Sequence, residues 1–242
     1  MTEQTTKPKP RRRWLQFSLR TFFVLLTLFC VWLGWTVHRA NEQRKAVEWV
    51  REMGGTVFYD YEYYYQRGGD DFVDDYEPTA QKWLRDFLGD DYFQKVSGVY
   101  FAHTQVSDLT PLAKLTSLEY LVLADTQVSD LTPLTRLTRL QHLRLDDTPV
   151  RDLTTLAKLT SLQVLDLDNT QVSDLAPLAE LQNLEWLNIR RTQVSDLTPL
   201  ANLTSLQKLW LDNTPVSEEH VERLQQTLPN CEIVWSPPDP SP

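Results

Sequence analysis

Cysteine is scarce in this chain, with only Cys30 and Cys231 among 242 residues. Cys30 lies in an apolar run near the N-terminus, whereas Cys231 lies in a strand-like segment near the other end. Two cysteines so far apart provide neither a disulfide framework nor the closely spaced ligands of a zinc site. The sequence therefore gives no support for a disulfide-stabilised fold, and it does not indicate a redox compartment.

The residue patterns of enzyme active sites are also absent. The sequence has no G-x-S-x-G motif, and its seven glycines form no loop of the kind that binds phosphate. The four histidines show no metal-ligand spacing; they are His38, His103, His142 and His220. We therefore predict no catalytic residue, no cofactor and no metal, and we do not expect an enzyme.

Positive charge is scarce beyond residue 45. The first 45 residues hold nine of the 24 Lys and Arg and two of the 33 Asp and Glu, so they carry +7 and the remainder carries −16. A domain that binds nucleic acid needs a basic face for the phosphates. The main body of the chain is therefore not expected to bind nucleic acid.

One uncharged apolar stretch lies near the N-terminus, "TFFVLLTLFCVWLGWTV" at residues 21–37, and mostly apolar residues extend it back to residue 15. About 23 helical residues reach about 34 Å, enough to cross a hydrocarbon core of about 30 Å. The alternative, a cleaved signal peptide, needs a shorter apolar core and a small-x-small site, which "GWTVHRAN" lacks. We predict an uncleaved membrane-spanning helix at 14–37.

Unequal basic flanks predict the orientation of this span. Six Lys and Arg lie at or before residue 20, and three lie at residues 39–45. The positive-inside rule then places the N-terminus in the cytoplasm and the later residues outside it, at the cell membrane. Helix-forming residues continue as far as Gly54 and Gly55, which predicts a helical stalk at 38–55.

Most of the remaining chain repeats itself every 22 residues. "TQVSDLTPLAKLTSLEYLVLAD" starts at Thr104, and near copies start at Thr126, Thr148, Thr170 and Thr192 without one insertion or deletion. A fixed period of this length is typical of a solenoid, in which each unit stacks on its neighbours. In the L-x-L part of each unit both leucines point inward and the residue between them points outward, as alternate side chains of a strand do.

Aligned by period, each unit reads L-x-x-L-x-L-x-x-T-x-V-x-x-L-x-x-L-x-x-L. This pattern, from residue 96 to residue 233, resembles the leucine-rich repeat family, in the 22-residue form of internalin-like bacterial proteins. The resemblance implies an α/β solenoid with parallel β-strands on the concave face and short helical turns on the convex face. It also implies protein binding on the concave face. The transmembrane helix predicted at 14–37 precedes this solenoid in the chain.

The turn of each unit carries a threonine and an aspartate. Thr104 and its equivalents stand where the family usually has Asn, which bonds backbone groups of neighbouring units. The aspartates at Asp108 and each equivalent position indicate turn formation. Thr110 is predicted to cap the following helical turn and Pro111 to occupy its first position, and the turn should persist where Thr155 replaces the proline.

Atypical segments flank the repeats and are predicted to cover their ends. A strand is expected at 56–66 and a helix at 78–89; the acidic loop 67–78 between them lacks EF-hand spacing, so a solvated loop is favoured over a Ca²⁺ site. Ser217 is expected to cap a second terminal helix. The predicted segments are 1–13 (basic N-terminus), 14–37 (span), 38–55 (stalk), 56–95 (N-terminal cap), 96–216 (repeats), 217–235 (C-terminal cap) and 236–242 (disordered tail).

The outward strand positions define the candidate binding surface. They form two rows: Gly98, Tyr120, His142, Val164, Trp186, Lys208, and Tyr100, Val122, Arg144, Asp166, Asn188, Trp210. Six strands cover about 24 Å, which suits a peptide segment or one edge of a small domain. The candidate protein-binding residues are Tyr100, Tyr120, His142, Arg144, Asp166, Trp186, Asn188, Arg190, Lys208 and Trp210. The ligand is expected to be a protein or peptide of unknown identity.

Two other interpretations of this surface remain open. Arg144 with Asp166, or Arg190 with Asp168 and Asp212, could be neighbouring-strand ion pairs on a plain solvated face. The chain could also be a structural or self-associating envelope protein without a dedicated ligand, because a fold alone does not determine a function.

Overall fold

The computed structural model describes residues 19–59 and 95–236, and the chain divides into two compact units, Met1–Arg39 and Ala40–Pro242. The described helices are α1 (Leu19–Glu52) and α2 (Glu218–Thr227). The described strands are β1 (Thr56–Tyr59), β2 (Val96–Ala102), β3 (Tyr120–Ala124), β4 (His142–Arg144), β5 (Val164–Asp166), β6 (Trp186–Asn188), β7 (Lys208–Trp210) and β8 (Glu232–Val234). The predicted basic segment 1–13, acidic loop, 78–89 helix and nearly all of the tail lie outside the described residues.

In the first unit, α1 exposes its large apolar side chains. Phe22, Leu28, Val31 and Trp35 are each more than half exposed. The segment Thr21–Glu52 contains a window long and apolar enough to cross a membrane, and it is the one such helix in the described part of the chain. From residue 19 onward this helix coincides with the predicted span.

The described strands form one eight-stranded sheet in chain order, with β1 ahead of the repeats at one edge. β2 to β8 pair in parallel, and from β2 to β7 the period of 22 places equivalent residues side by side, such as Leu143 beside Leu165 and Leu165 beside Leu187. Between strands the chain returns through a short 3₁₀ turn, five of which are described. The predicted parallel-stranded solenoid is confirmed.

Leucines from the strand and turn of every unit form one continuous core. In the unit that starts at Thr148 the core leucines are at most 1% exposed; they are Leu153, Leu156, Leu159, Leu162, Leu165 and Leu167. Full burial stabilises each such side chain by about 1.5–3 kcal/mol. A single unit has too few of them to offset the entropy of ordering 22 residues, so the units fold by stacking.

The repeated threonines form local hydrogen bonds along the chain. The Thr126 hydroxyl donates to the carbonyl oxygen of Leu123 at 2.8 Å, and the threonines of the four later units do the same with the residue three positions earlier. Backbone groups connect the units instead: the Gln171 amide donates to the Val150 carbonyl at 3.0 Å. Each of these threonines therefore bonds the chain just before it, whereas the family asparagine bonds backbone groups of neighbouring units.

The repeated aspartates, and not the threonines after them, cap the 3₁₀ turns. Asp108 Oδ1 accepts the amide N–H of Thr110 at 2.8 Å, and the equivalent aspartates at 130, 152, 174 and 196 make the same bond. The prediction of turn-forming aspartates is confirmed, whereas Thr110 makes no side-chain cap. The turn Thr154–Lys158 forms without proline, as expected.

The C-terminal part of α1 packs against the first strand of the repeats. Val47 and Val50 are fully buried, and the Trp49 ring meets the Phe101 ring edge to face at 5.6 Å between centroids. Because Gly54 has φ +80°, α1 ends in a Schellman motif, in which the Gly55 amide donates to the Val50 carbonyl at 2.8 Å. The segment predicted as a stalk therefore covers the open end of the core from its residue 43 onward.

β1 adds an antiparallel strand beside β2, with Thr56 opposite Tyr100 and Phe58 opposite Gly98. The strand expected at 56–66 is therefore found at Thr56–Tyr59, and the remainder lies outside the described residues. Together with the end of α1, this strand closes the first edge of the sheet.

α2 and β8 cover the other end of the array. Ser217 caps α2, as predicted, by accepting the His220 amide N–H at 3.4 Å. Leu224, Leu228 and Cys231 are buried beneath the helix, and burial raises the pKa of the Cys231 thiol to about 11. This thiol is therefore protonated and unreactive at neutral pH.

Candidate binding surface

The parallel register places the two predicted rows of outward residues side by side on the concave face. Tyr120, His142, Val164, Trp186 and Lys208 form one row, which Glu232 extends on β8. Val122, Arg144, Asp166, Asn188 and Trp210 form the next row, between Tyr100 and Val234. Gly98 is the exception among the predicted outward residues, because it is buried against the Phe58 side chain of β1.

Aromatic side chains pair across neighbouring strands of this face. The Tyr120 and His142 rings stack at 4.6 Å between centroids, and the Trp186 and Trp210 rings meet edge to face at 5.9 Å. The Lys208 ammonium lies 5.2 Å from the centre of the Trp210 ring. The four rings are half-buried, so each presents part of its surface to solvent.

Ion pairs occupy the more polar part of the face. Arg190 Nε lies 2.6 Å from Asp212 Oδ2, without hydrogen-bond geometry at that nitrogen. Arg144 donates to both carboxylate oxygens of Asp146 at 3.2 and 3.3 Å and stands 3.8 Å from Asp166. Lys208 pairs with Glu232 at 3.0 Å. The Arg144–Asp166 and Arg190–Asp212 pairs considered from the sequence are therefore both present.

A third row lies two residues beyond the second; Arg190, Asp168 and Asp212 were named from the sequence, but not as members of a row. It includes Asp146, Asp168, Arg190 and Asp212, whose backbone groups bond the turn residues of neighbouring units. Asp168 is held in a bidentate pair by Arg191, at 2.9 and 2.7 Å, and not by Arg190. Continuing the period-2 alternation one step past each strand would have identified this row.

Burial changes the pKa of two side chains at the centre of the face. Burial lowers the pKa of His142 to about 4, so its imidazole is neutral at physiological pH. Burial, together with the charges of Asp146 and Asp168, raises the pKa of Asp166 to about 6, although an N–H from Asp168 and the charge of Arg144 oppose this. Among residues 19–59 and 95–236, no group of three His, Cys, Asp or Glu is placed to hold a metal ion.

Asp166→Asn should stabilise the protein above pH 6. A carboxyl whose pKa is raised in the folded state binds its proton more tightly there, so stability falls as pH rises from about 4 through 6. The variant should avoid this loss and gain about 1–3 kcal/mol at pH 8, with no gain at pH 4. Thermal melts across this pH range measure the difference. A gain that does not depend on pH, or a loss at pH 8, would contradict the environment described for Asp166.

Comparisons with known proteins identify the class. Residues 95–230 match the family of leucine-rich repeat regions, and because the match covers more than half of the chain, this protein belongs to the leucine-rich repeat family. Members of this family are typically non-catalytic scaffolds that bind proteins. A search of curated protein sequences gave no match.

Three bacterial proteins are among the solved structures with a similar fold. A leucine-rich repeat protein of Leptospira interrogans is 30% identical, with a TM-score of 0.50 over 53% of this chain and 34% of that one. An internalin (inlF) of Listeria monocytogenes is 26% identical, with a TM-score of 0.49 over 64% of this chain and 54% of that one. Internalin C2 of the same organism is 31% identical, with a TM-score of 0.47 over 60% and 75%. This chain thus matches about half the length of the internalin inlF.

Proposed function

We propose that this protein is a membrane-anchored, non-catalytic binding module that presents its concave face, outside the cytoplasm, to a protein or peptide ligand. The half-buried aromatic pair Trp186–Trp210 carries the proposal. Tryptophan is among the residue types most enriched at binding hot spots, because it offers a large rigid surface that desolvates on contact. The exposed apolar surface of α1 supports the anchor.

Replacing both Trp186 and Trp210 by alanine should abolish ligand capture. The two rings contact each other on the open face, and the lost ring pair should cost about 0.5–1.5 kcal/mol beyond the apolar area that the half-buried rings cover, so the double variant should stay folded. The measurement compares proteins captured from envelope extract by the full chain and by the double variant, with thermal melts of both. Equal capture would place the binding site elsewhere, and a large loss of stability would assign both rings to the core.

External protease should remove the repeats from intact spheroplasts. This result is expected because more Lys and Arg residues precede the span than follow it, which favours an N-terminus in the cytoplasm. Carbonate washing should leave the protein in the membrane fraction. Protection of the repeats would reverse the orientation, and release by carbonate would contradict the anchor.

The alternative function, a structural or self-associating envelope protein, is supported by the ion pairs Arg190–Asp212 and Lys208–Glu232. These pairs neutralise part of the face without any ligand. In that case the Trp186 and Trp210 double variant would capture the same proteins as the unchanged chain.

A further inference from the structure

Asp166 differs from the carboxylates on either side of it. Asp146 and Asp168 each receive two hydrogen bonds from a guanidinium, that of Arg144 and that of Arg191 respectively. Asp166 Oδ2 lies 3.8 Å from Arg144 Nε, beyond hydrogen-bond range, because that guanidinium is directed at Asp146. The negative charge of Asp166 is thus less compensated than that of its neighbours, at a position in the middle of the concave face.

The fold does not require this charge. Asp166 Oδ1 accepts the amide N–H of Asp168 at 3.1 Å. On the next strand, Asn188 occupies the paired position and its Oδ1 accepts the Arg190 amide N–H at 3.2 Å. A neutral amide therefore makes the same bond in the adjacent unit. The carboxylate at 166 adds only its charge, which costs stability when it is half-buried.

An apolar surface adjoins Asp166. Val164, two residues earlier on the same strand, faces the same side and pairs with Trp186. Diagonal neighbours on adjacent strands, such as Asp166 and Trp186, lie about 7–8 Å apart, within reach of one long side chain. A bound segment with a Lys or Arg side chain at the carboxylate would therefore place the apolar side chain beside it on Val164 and Trp186.

The surrounding charge also favours a cationic partner. The second and third rows and the turns beside them carry six carboxylates, against the three guanidiniums of Arg144, Arg190 and Arg191. The carboxylates are Asp125, Asp146, Asp147, Asp166, Asp168 and Asp212. The chain beyond residue 45 carries −16 as a whole, which would attract a basic segment and repel an acidic one.

We propose that the concave face binds an extended basic segment of another protein, with one of its Lys or Arg side chains at Asp166 and an adjacent apolar side chain on Val164 and Trp186. This inference rests on the proposed function and specifies the chemistry of the ligand. The ligand cation completes the ion pair that Arg144 leaves incomplete.

A displayed library of random ten-residue peptides tests the proposal. Full-length protein in detergent micelles is the target, and the selected peptides are then synthesised and their Kd measured on four proteins. These are the unchanged chain, Asp166→Asn, the Trp186 and Trp210 double alanine variant, and Asp174→Asn as a matched control. Asp174 lies at the start of the following unit, on a turn, where its Oδ1 accepts the Ala176 amide N–H, a bond that asparagine can keep.

The selected peptides should be enriched in Lys and Arg beside apolar residues. They should bind Asp166→Asn at least tenfold more weakly than the unchanged chain, and Asp174→Asn within twofold of it. Peptides without this enrichment, or with equal Kd for Asp166→Asn, would overturn the inference. If such peptides still lose binding to the tryptophan variant, the proposed function stands; if selection yields no peptide that depends on either site, both proposals fail.

Discussion

Replacing Leu165 by aspartate should lower the free energy of unfolding by more than about 4 kcal/mol. Leu165 is 1% exposed in the middle of the array, between Leu143 and Leu187 on the neighbouring strands. The new carboxylate would lie among leucines with no cation or donor, and the units on both sides would lose their shared core. Thermal or urea unfolding of the second compact unit, residues 40–242, measures the effect.

Gln163 provides the control for this substitution. It is half-buried and lies two residues before Leu165. Its backbone N–H and C=O form hydrogen bonds with neighbouring units, and these bonds do not depend on the side chain. Gln163→Asp should therefore change the free energy of unfolding by less than about 1 kcal/mol. If the two variants ranked in the opposite order, the assignment of inward and outward positions would be wrong.

A fragment that starts at residue 56 should be far less stable than one that starts at residue 40. The shorter fragment lacks the end of α1, including Ala46, Val47 and Val50, and therefore exposes Phe101 and the first core layer. Full burial of two valines alone is worth about 3–6 kcal/mol, and an uncovered solenoid end also promotes aggregation. Melting temperature and light scattering of the two purified fragments test this expectation.

A point substitution separates the capping role of α1 from the effect of chain length. Val47→Asp in the 40–242 fragment should reproduce most of the loss, because Val47 is fully buried. Arg51→Asp introduces the same carboxylate four residues later at an exposed position, and it should cost less than about 1 kcal/mol. Equal stability of the 40–242 and 56–242 fragments would show that residues 40–55 do not cap the array.

The interior of the array could be predicted from the sequence because the same 22-residue pattern of leucines occurs in five full units. The L-x-L spacing gave the inward leucines and both outward rows, and the register of 22 followed from the absence of insertions. A position such as Trp186 could be placed on the face with no knowledge of its neighbours. Repetition converts a weak local pattern into a strong one.

The ends of the array and the pairing of side chains were less predictable. The segment that includes Val47 and Trp49 occurs once, and its helical pattern is equally typical of a free stalk. Choosing between Arg190 and Arg191 as the partner of Asp168 requires the direction of each side chain, which the repeat period does not supply. The raised pKa of Asp166 likewise depends on burial and on charges from neighbouring strands.

The backbone bonds between units give the array a property that concerns its evolution and engineering. The same amide-to-carbonyl bond joins Gln127 to Val106, Gln171 to Val150 and Gln193 to Val172, whereas Pro149 and Pro215 have no amide hydrogen to donate. Duplicating a 22-residue block that lies between two of the bonded junctions, such as 170–191, would therefore reproduce an existing junction and leave both terminal caps intact. The concave face can then lengthen in steps of about 4.8 Å, which allows recombination to match its reach to a longer ligand.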